Sequence, residues 1–421
     1  MKRPSVDAVR GFERPVYYVA LGQLINVFGS GMVYPFATVH FHLQVGISLA
    51  MVGVGLGAKS AATAGGTAVG GYLADRYARK PVMVASMALS MVSLAAFAFV
   101  PELASAVPGL SVAWAFVAVA TAGGLTAGLY APAGQAYVAD LTTADRRDTG
   151  FALLKVANNV GFGAGFVVGG LLYQVASVAV FIADGLTSGV VAVVLALTIS
   201  RTHAGRRDVS VTASFGDWGR AITRRRVLAL ALLNVGFAVM YAQMQTTVPV
   251  VAKQTLGLTS SELGTLYVLN PLTIVVLQLP VVDAVTRWRR TRGLVVSAAF
   301  WAVSMLVVWP ADGVPVLVGV ALVGGHLVLR TVGEILHSPL TTSLMSDLGS
   351  AGERGTQLSL LEIAKRLGMG LGAFVGGLFF DLGLSHLLWP ALAAVCGGIA
   401  VGVVLLERSV SPAENGAVAA D

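Results

Sequence analysis

Residues 70–81 read GGYLADRYARKP. A long apolar run ends there in an acid, Asp75, and a base, Arg76. The chain then turns through two more bases, Arg79 and Lys80, before a second apolar run opens at Val82. Charges crowded between two stretches that carry almost none mark a short hairpin joining two membrane-crossing helices, on the face where Lys and Arg collect. The bases would anchor at phosphate headgroups, and Asp75 is placed to accept from free amides at a helix N-terminus.

The rest of the chain agrees with that reading. Its 421 residues are 56% hydrophobic and only 12% charged, with a mean hydropathy of +0.79. Soluble domains carry about 25% charged residues, so most of this chain belongs in lipid. A bilayer core takes about 20 apolar residues, which leaves room for roughly a dozen helices. The runs fall near Val16–Val39, Ser48–Leu73, Val82–Phe99, Leu110–Val138, Thr149–Tyr173 and Val178–Ile199, then Val227–Val251, Glu262–Val282, Leu294–Trp309, Val314–Leu344, Thr356–Phe380 and His386–Leu405. The basic start, Met1–Arg14, leads into the first run without a small-residue cleavage site, so no removed signal peptide is expected. Polar residues Arg201–Arg226 divide the chain into 1–200, a cytoplasmic linker 201–226, and 227–421 with a short cytoplasmic tail.

With the N-terminus inside, 22 of the 28 Lys and Arg fall in cytoplasmic segments and only Lys253 falls outside. The opposite loops carry Glu102, Glu262, Asp312 and Asp381. That bias gives an even number of spans with both termini cytoplasmic, and it accounts for the net charge of +7 without nucleic acid. The Arg-rich linker reads as a segment lying on anionic lipid.

An internal repeat follows. Residues 147–173, RDTGFALLKVANNVGFGAGFVVGGLLY, align without a gap on 354–380, RGTQLSLLEIAKRLGMGLGAFVGGLFF. The same offset takes Pro132 to Pro339 and Asp140 to Asp347. An offset one residue longer takes Asp75 to Asp283 and Arg79 to Arg287. Two six-helix halves in the same orientation are a parallel repeat.

The hairpin resembles the signature that the major facilitator superfamily of secondary transporters carries between its second and third helices. Gly71, Leu73, Asp75, Arg76, Arg79 and Lys80 match it, and Ala78 stands where the family usually has Gly. The resemblance covers nearly the whole chain. It implies an all-α membrane protein of twelve transmembrane helices in two pseudo-symmetric six-helix bundles, working by alternating access as a multi-pass monomer in the plasma membrane. It also implies a cytoplasmic gate of Gly71, Asp75, Arg76, Arg79 and Lys80 with Asp140 at the end of the fourth helix. Asp283, Arg287 and Asp347 form its pseudo-symmetric counterpart. The overall pattern is most like the drug:proton antiporter branch, which implies export of drug-like or organic solutes. Many such exporters carry an acid in the first helix and a base in the fourth, and neither is present here. The alternatives are a proton-coupled nutrient or metabolite symporter and a non-transporting sensor or lipid-handling protein of the same fold.

Inside the tenth run, His326, Arg330, Glu334 and His337 share one helical face. Arg330 and Glu334 fall near the bilayer midplane, where charges are costly and face a cavity or a partner. Glu334 is the candidate proton-coupling carboxylate with Arg330 tuning it; the competing reading is a permanently ionised structural pair. Lys59, alone in the second run, either faces the same cavity or snorkels. The resemblance places the first, fourth, seventh and tenth helices around the cavity. Polar candidates there and nearby are Gln23, Asn26, Tyr34, Tyr130, Gln135, Asn234, Tyr241, Gln245, Tyr267 and Asn270. Apolar and aromatic walls with few polar groups suit a drug-sized, partly hydrophobic solute. Lys59 and Arg330 tilt the choice toward a neutral or anionic one. Lys155, Glu362, Lys365 and Arg366 read as interfacial anchors and local pairs.

Glycines recur every four residues at 161, 165 and 169 and at 368, 372 and 376. Such faces bring backbones close, either between rocking halves or in static packing. Cys396 is the sole cysteine, which excludes a disulfide framework. No phosphate-binding loop of the Walker type is present, and the histidines lack metal spacing beyond a weak 326/337 pair. We expect no enzyme activity, cofactor or resident metal, with a small solute, protons and the bilayer as partners.

Overall fold

A computed structural model describes residues 12–143, 146–199, 224–348 and 354–416. The linker expected at 201–226 lies outside the described residues except for its last three. All regular structure among the described residues is helical. Six long helices come first: α1 (Arg14–Val33), α2 (Leu49–Arg76), α3 (Arg79–Ala95), α4 (Val112–Leu141), α5 (Arg147–Val175) and α6 (Ala179–Thr198). Six more follow: α7 (Arg225–Gln243), α8 (Leu269–Val285), α9 (Arg290–Val308), α10 (Val316–Asp347), α11 (Arg354–Asp381) and α12 (Ser385–Glu407). Among the described residues, eleven spans, all but α2, are both long and apolar enough to cross a membrane. α2 is 28 residues long, but its middle is glycine, alanine and threonine around Lys59.

Local chemistry explains where the runs differ from expectation. The eighth run is broken: a short helix, Ser260–Tyr267, precedes α8. Pro271 lacks an N–H and its ring would meet the carbonyl of Tyr267, so the helix stops there. The short helix starts on a capping box, with the Thr259 N–H donating to Glu262 Oε2 at 2.7 Å and the Glu262 N–H donating to Thr259 Oγ1 at 3.2 Å. Glu262 is therefore a cap as well as a loop acid. The third run ends in a 3-10 turn, Ala96–Phe99, and Glu102 sits in a further short helix, Val100–Ala106.

α1 and α7 end alike. Each passes through a few α-helical residues into a π turn, Val39–Gln44 or Val251–Thr255. Each then closes on a glycine in the left-handed region, Gly46 at φ 82° and Gly257 at φ 65°. The Ile47 N–H donates to Phe41 O at 2.9 Å, and the Leu258 N–H donates to Ala252 O at 3.0 Å.

Packing divides the described residues into two compact units. The first holds residues up to Ile47, Ala58 to Ile199, and Thr259–Val268. The second holds Ser48–Gly57, Arg224 to Leu258, and Leu269 onward. Each unit thus includes a short helix start from the other half of the sequence.

In the first unit α5 lies on α1 through its glycine ladder. A Cβ at Gly161 would stand 2.6 Å from Leu24 O, and one at Gly165 2.9 Å from Gly31 Cα. On the neighbouring face of α5, a Cβ at Gly170 would stand 2.6 Å from Ser260 O. Val16, Val19, Met83, Met87, Tyr137, Val191 and Leu195 form its core. Phe41, Phe97, Phe116 and Phe181 make a second, aromatic cluster, with Phe41 and Phe116 centroids 4.4 Å apart.

In the second unit the repeated ladder places α11 on α7, where a Cβ at Gly372 would stand 2.6 Å from Val239 Cα. Both ladders therefore serve close packing inside a unit. The start of α2 also lies on α11: a Cβ at Gly57 would meet Gly370 Cα at 3.1 Å. Asp381, read above as a loop acid, caps α2, its carboxylate accepting from the Leu49 N–H at 2.9 Å and the Ala50 N–H at 2.8 Å.

Candidate substrate and proton sites

In the second unit the site grows from the long α10. Arg330 is 2% exposed, and such a charge must be compensated on the spot. Its Nη2 lies 3.5 Å from Glu334 Oε2 one turn on, and its Nη1 reaches Met244 Sδ at 2.9 Å. Its guanidinium carbon lies 5.1 Å from the Trp301 ring centre and 5.5 Å from that of Tyr241, which are cation–π distances. Glu334 keeps 27% side-chain exposure and accepts from Asn270 Nδ2 at 3.5 Å; Asn270 also donates to Thr331 Oγ1 at 2.8 Å. Glu334 is thus held by one buried cation and one amide while part of it stays open to solvent.

The two histidines of that face lead elsewhere. His326 packs away from Glu334, its Nδ1 3.0 Å from Ser304 O and its ring 5.9 Å from Trp389. His337 stacks on Phe237 at 4.2 Å, and neither ring nitrogen has a hydrogen-bond partner among the described residues. A cavity of about 280 Å³ opens beside His337. Asn234, Tyr241, Ser338, Thr341, Glu362 and Lys365 also line it. Lys365 Nζ lies 5.5 Å from the Tyr241 ring centre, so that ring has two cations near it, Arg330 and Lys365. Lys365, read from the sequence as an interfacial anchor, is half-buried at this cavity. Arg366 and Glu362 do form a local pair at 2.8 Å. Asn234 donates to Leu361 O at 3.0 Å, and Gln245 is half-buried beyond the end of α7.

In the first unit the polar candidates fall mainly on α1. Gln23 Nε2 donates to Asn158 Oδ1 at 3.2 Å, and Asn26 Oδ1 accepts from Ser188 Oγ at 3.3 Å. Tyr34 packs edge-on against Phe162 at 5.4 Å. Tyr130 is buried with its hydroxyl unpartnered among the described residues, whereas Gln135 is exposed. Tyr267 is fully buried, edge-on to Phe166 at 5.6 Å. Lys59 is half-buried, its Nζ 5.6 Å from the Phe97 ring centre. Lys155 is exposed.

One charge here escaped the sequence reading. Asp184 of α6 is 3% exposed, and its Oδ1 has no hydrogen-bond partner among the described residues. The signal was available, because Asp184 is the sole ionisable residue between Val178 and Ile199. Gln243 was also missed; it is wholly buried and ties α7 to α11 through Gly372 O at 3.0 Å.

At the hairpin, Arg79 Nε meets Asp140 Oδ2 at 3.4 Å, its Nη1 bonds Ala74 O, and Lys80 Nζ caps the last turn of α6 at Ile199 O, 2.7 Å away. Arg76 Nη1 donates to Tyr72 Oη at 2.5 Å, and Gly71 lies half-buried near Pro132. The Asp75 side chain lies outside the described set. In the second unit Asp347 pairs with Arg290 at 2.5 Å, while Asp283 and Arg287 form no ion pair among the described residues. A tail strap reinforces this corner: Glu414 O accepts from Arg290 at 2.7 Å and the Glu414 carboxylate from Arg226 at 2.9 Å. Among the described residues, no group of three His, Cys, Asp or Glu is placed to hold a metal ion.

The chain matches the family model of the Major Facilitator Superfamily over residues 19–260 and 236–420. It is 25% identical over 373 residues to the MFS-type transporter YqjV of Bacillus subtilis (strain 168), covering 86% of each chain. It is 23% identical over 390 residues to the multidrug resistance protein MdtH of Escherichia coli O9:H4 (strain HS), covering 90% of each. Among solved structures it resembles the nucleoside transporter NupG, with a TM-score of 0.77 at 12% identity over 94% of this chain and 100% of that one. It also resembles the peptide transporter POT in complex with sulfate, with a TM-score of 0.76 at 16% identity over 96% of both chains. The duplicated helical fold, the charged hairpin and a family match spanning both halves make the chain a member of the Major Facilitator Superfamily, a membrane transporter of that type.

Proposed function

We propose that the protein is a proton-coupled exporter of neutral or anionic organic solutes, working by alternating access in the plasma membrane with both termini cytoplasmic. The observation that carries this reading is the second-unit site: Glu334, part-exposed beside Arg330, one residue from the cavity that Tyr241 and Lys365 share. For export against protons the two ligands must exclude one another, so a proton on Glu334 and a solute bound beside Arg330, Tyr241 and Lys365 would each lower the other's affinity. Coupling of this kind is a difference in affinity between two protonation states, which is what secondary transport requires. Similarity to the multidrug resistance protein MdtH supports solutes of the drug class.

Proteoliposomes carrying an internal pH reporter test it, with fluorescein as the anionic probe and ethidium as the cationic one. A fluorescein gradient should drive proton movement in the opposite direction, and Glu334→Gln should abolish that movement while leaving fluorescein exchange. Proton movement in the same direction as the solute would make the protein a symporter, and undiminished proton movement in Glu334→Gln would remove Glu334 from the mechanism.

A further inference from the structure

The first unit holds a buried acid that the proposal above does not use. Asp184 lies one turn beyond Phe181 on α6, facing α1 where Gly29 leaves a notch. A Cβ added at Gly29 would meet Thr187 Oγ1 first and stand 2.7 Å from Asp184 Oδ1, so these two side chains share the space a side chain at 29 would fill. The neighbouring Thr187 hydroxyl donates to the Asp184 main-chain carbonyl at 2.8 Å, leaving the carboxyl to itself. Lys59 of α2 reaches the same corner, its Nζ 5.6 Å from the Phe97 ring that stacks on Phe181, and it forms no ion pair with Asp184 within 4.0 Å among the described residues. A permanently ionised carboxylate this deep needs hydrogen bonds or a contact cation. Asp184 Oδ1 has neither.

The surroundings fit a proton site. Phe181 and Phe97, stacked at 6.0 Å, with Phe41 beside them, wall the site off toward the start of α6. On the other side α1 supplies a polar seam, with Ser188 donating to Asn26 Oδ1 and Ser30 to Asn26 O, both at 3.3 Å. Among the described residues, the helices packed against α6 bring no second carboxylate here. α1 presents Gly29, Asn26 and Ser30, α3 presents Met91 and Ala95 to Gly185, and the α1 π turn presents His40. The His40 ring lies 5.1 Å from Phe181, with its Nδ1 2.9 Å from Gln44 Oε1. Arg79 and Lys80 belong to the far end of α6, held by Asp140 and Ile199 O.

We propose that Asp184 is a second proton-binding carboxyl group of this transporter, in the first unit, whose proton affinity is set by the charge of Lys59. Burial against Gly29 favours the protonated carboxyl, and the Lys59 ammonium favours the ionised one. The assignment stands apart from Glu334, and the test keeps the two separate.

Infrared difference spectra between pH steps, taken on the protein in liposomes, read protonated carboxyl groups directly and need no solute. The wild type should show a titrating carboxyl band that is absent in Asp184→Asn and retained in Glu334→Gln. Lys59→Met should move its midpoint upward by about one pH unit, because removing a nearby cation favours the protonated form. A spectrum of Asp184→Asn identical to the wild type overturns the proposal, as does a midpoint unmoved in Lys59→Met. Should Asp184→Asn fail to insert, the Lys59→Met midpoint decides alone. Loss of the band in Glu334→Gln would assign it to Glu334 and overturn the Asp184 site.

Discussion

The two units bury charge in opposite ways. In the second, Arg330 is surrounded by compensation: Glu334 at 3.5 Å, Met244 at 2.9 Å and two aromatic rings. In the first, Asp184 is just as deep and its Oδ1 has no partner among the described residues. A guanidinium stays charged and must be paired, whereas a carboxyl can shed its charge by taking a proton. The same burial is therefore met by partners around the arginine and, in our proposal, by a proton at the aspartate.

The sharpest break of that comparison is thermal stability in detergent. Arg330→Met should cost about 3 kcal/mol, the low end for breaking a buried pair, because Glu334 keeps access to solvent. Asp184→Asn should change stability by less than about 1 kcal/mol, since an amide replaces a carboxyl that no partner holds. Equal losses in the two variants would erase the contrast.

A second pair of substitutions asks whether the repeated ladders pack alike. Gly165→Val and Gly372→Val each press a side chain into backbone at 2.9 and 2.6 Å, and each should cost about 1–3 kcal/mol or prevent insertion. Gly398→Ala on α12 meets nothing within 4 Å and should be neutral or stabilising by about 0.5–1 kcal/mol. Tolerance of Gly372→Val alone would show that only the first ladder is tight.

The starts of α2 and of the short helix at 260 sharpen the comparison further. Thr259 and Glu262 cap their helix locally, whereas α2 borrows Asp381 from 332 positions away. Asp381→Asn should therefore cost about 1 kcal/mol and raise hydrogen exchange at Leu49 and Ala50. Unchanged exchange there would deny the cap a role.

The smallest effect belongs to the tail strap. Burial opposes ionisation of Glu414, but the Ser411 N–H and hydroxyl and the Arg226 guanidinium outweigh it and hold the carboxyl below its usual range. A folded value below the unfolded one adds stability that is full above the ordinary glutamate range and is lost as pH falls through the folded value. With Arg226 41% exposed, that contribution is about 0.2–1 kcal/mol. Glu414→Gln should remove the acid-side loss, seen as converging melting curves at low pH.

What the sequence made legible was what one dimension carries. Hydropathy marks the spans, the hairpin at 70–81 marks a turn, and coincident Gly, Pro and Asp positions mark the duplication. What it hid depended on facing partners. The weight of Asp184 comes from the Gly29 notch opposite it, and that of Asp381 from amides at 49 and 50. Which arginine meets Asp347 is a matter of where the turn before α9 ends. The repeat offset points to Arg287, but that turn brings Arg290 to the carboxylate instead. The matching π turns at 39–44 and 251–255 share almost no residues, so only backbone geometry reveals them.

The helix starts at 48–57 and 259–268 each belong to the unit built mainly from the other half of the sequence. Each half of the sequence therefore leaves a strip of its own packing to residues from the other half. Fragments cut in the linker should accordingly become protease-resistant when expressed together and not when expressed apart.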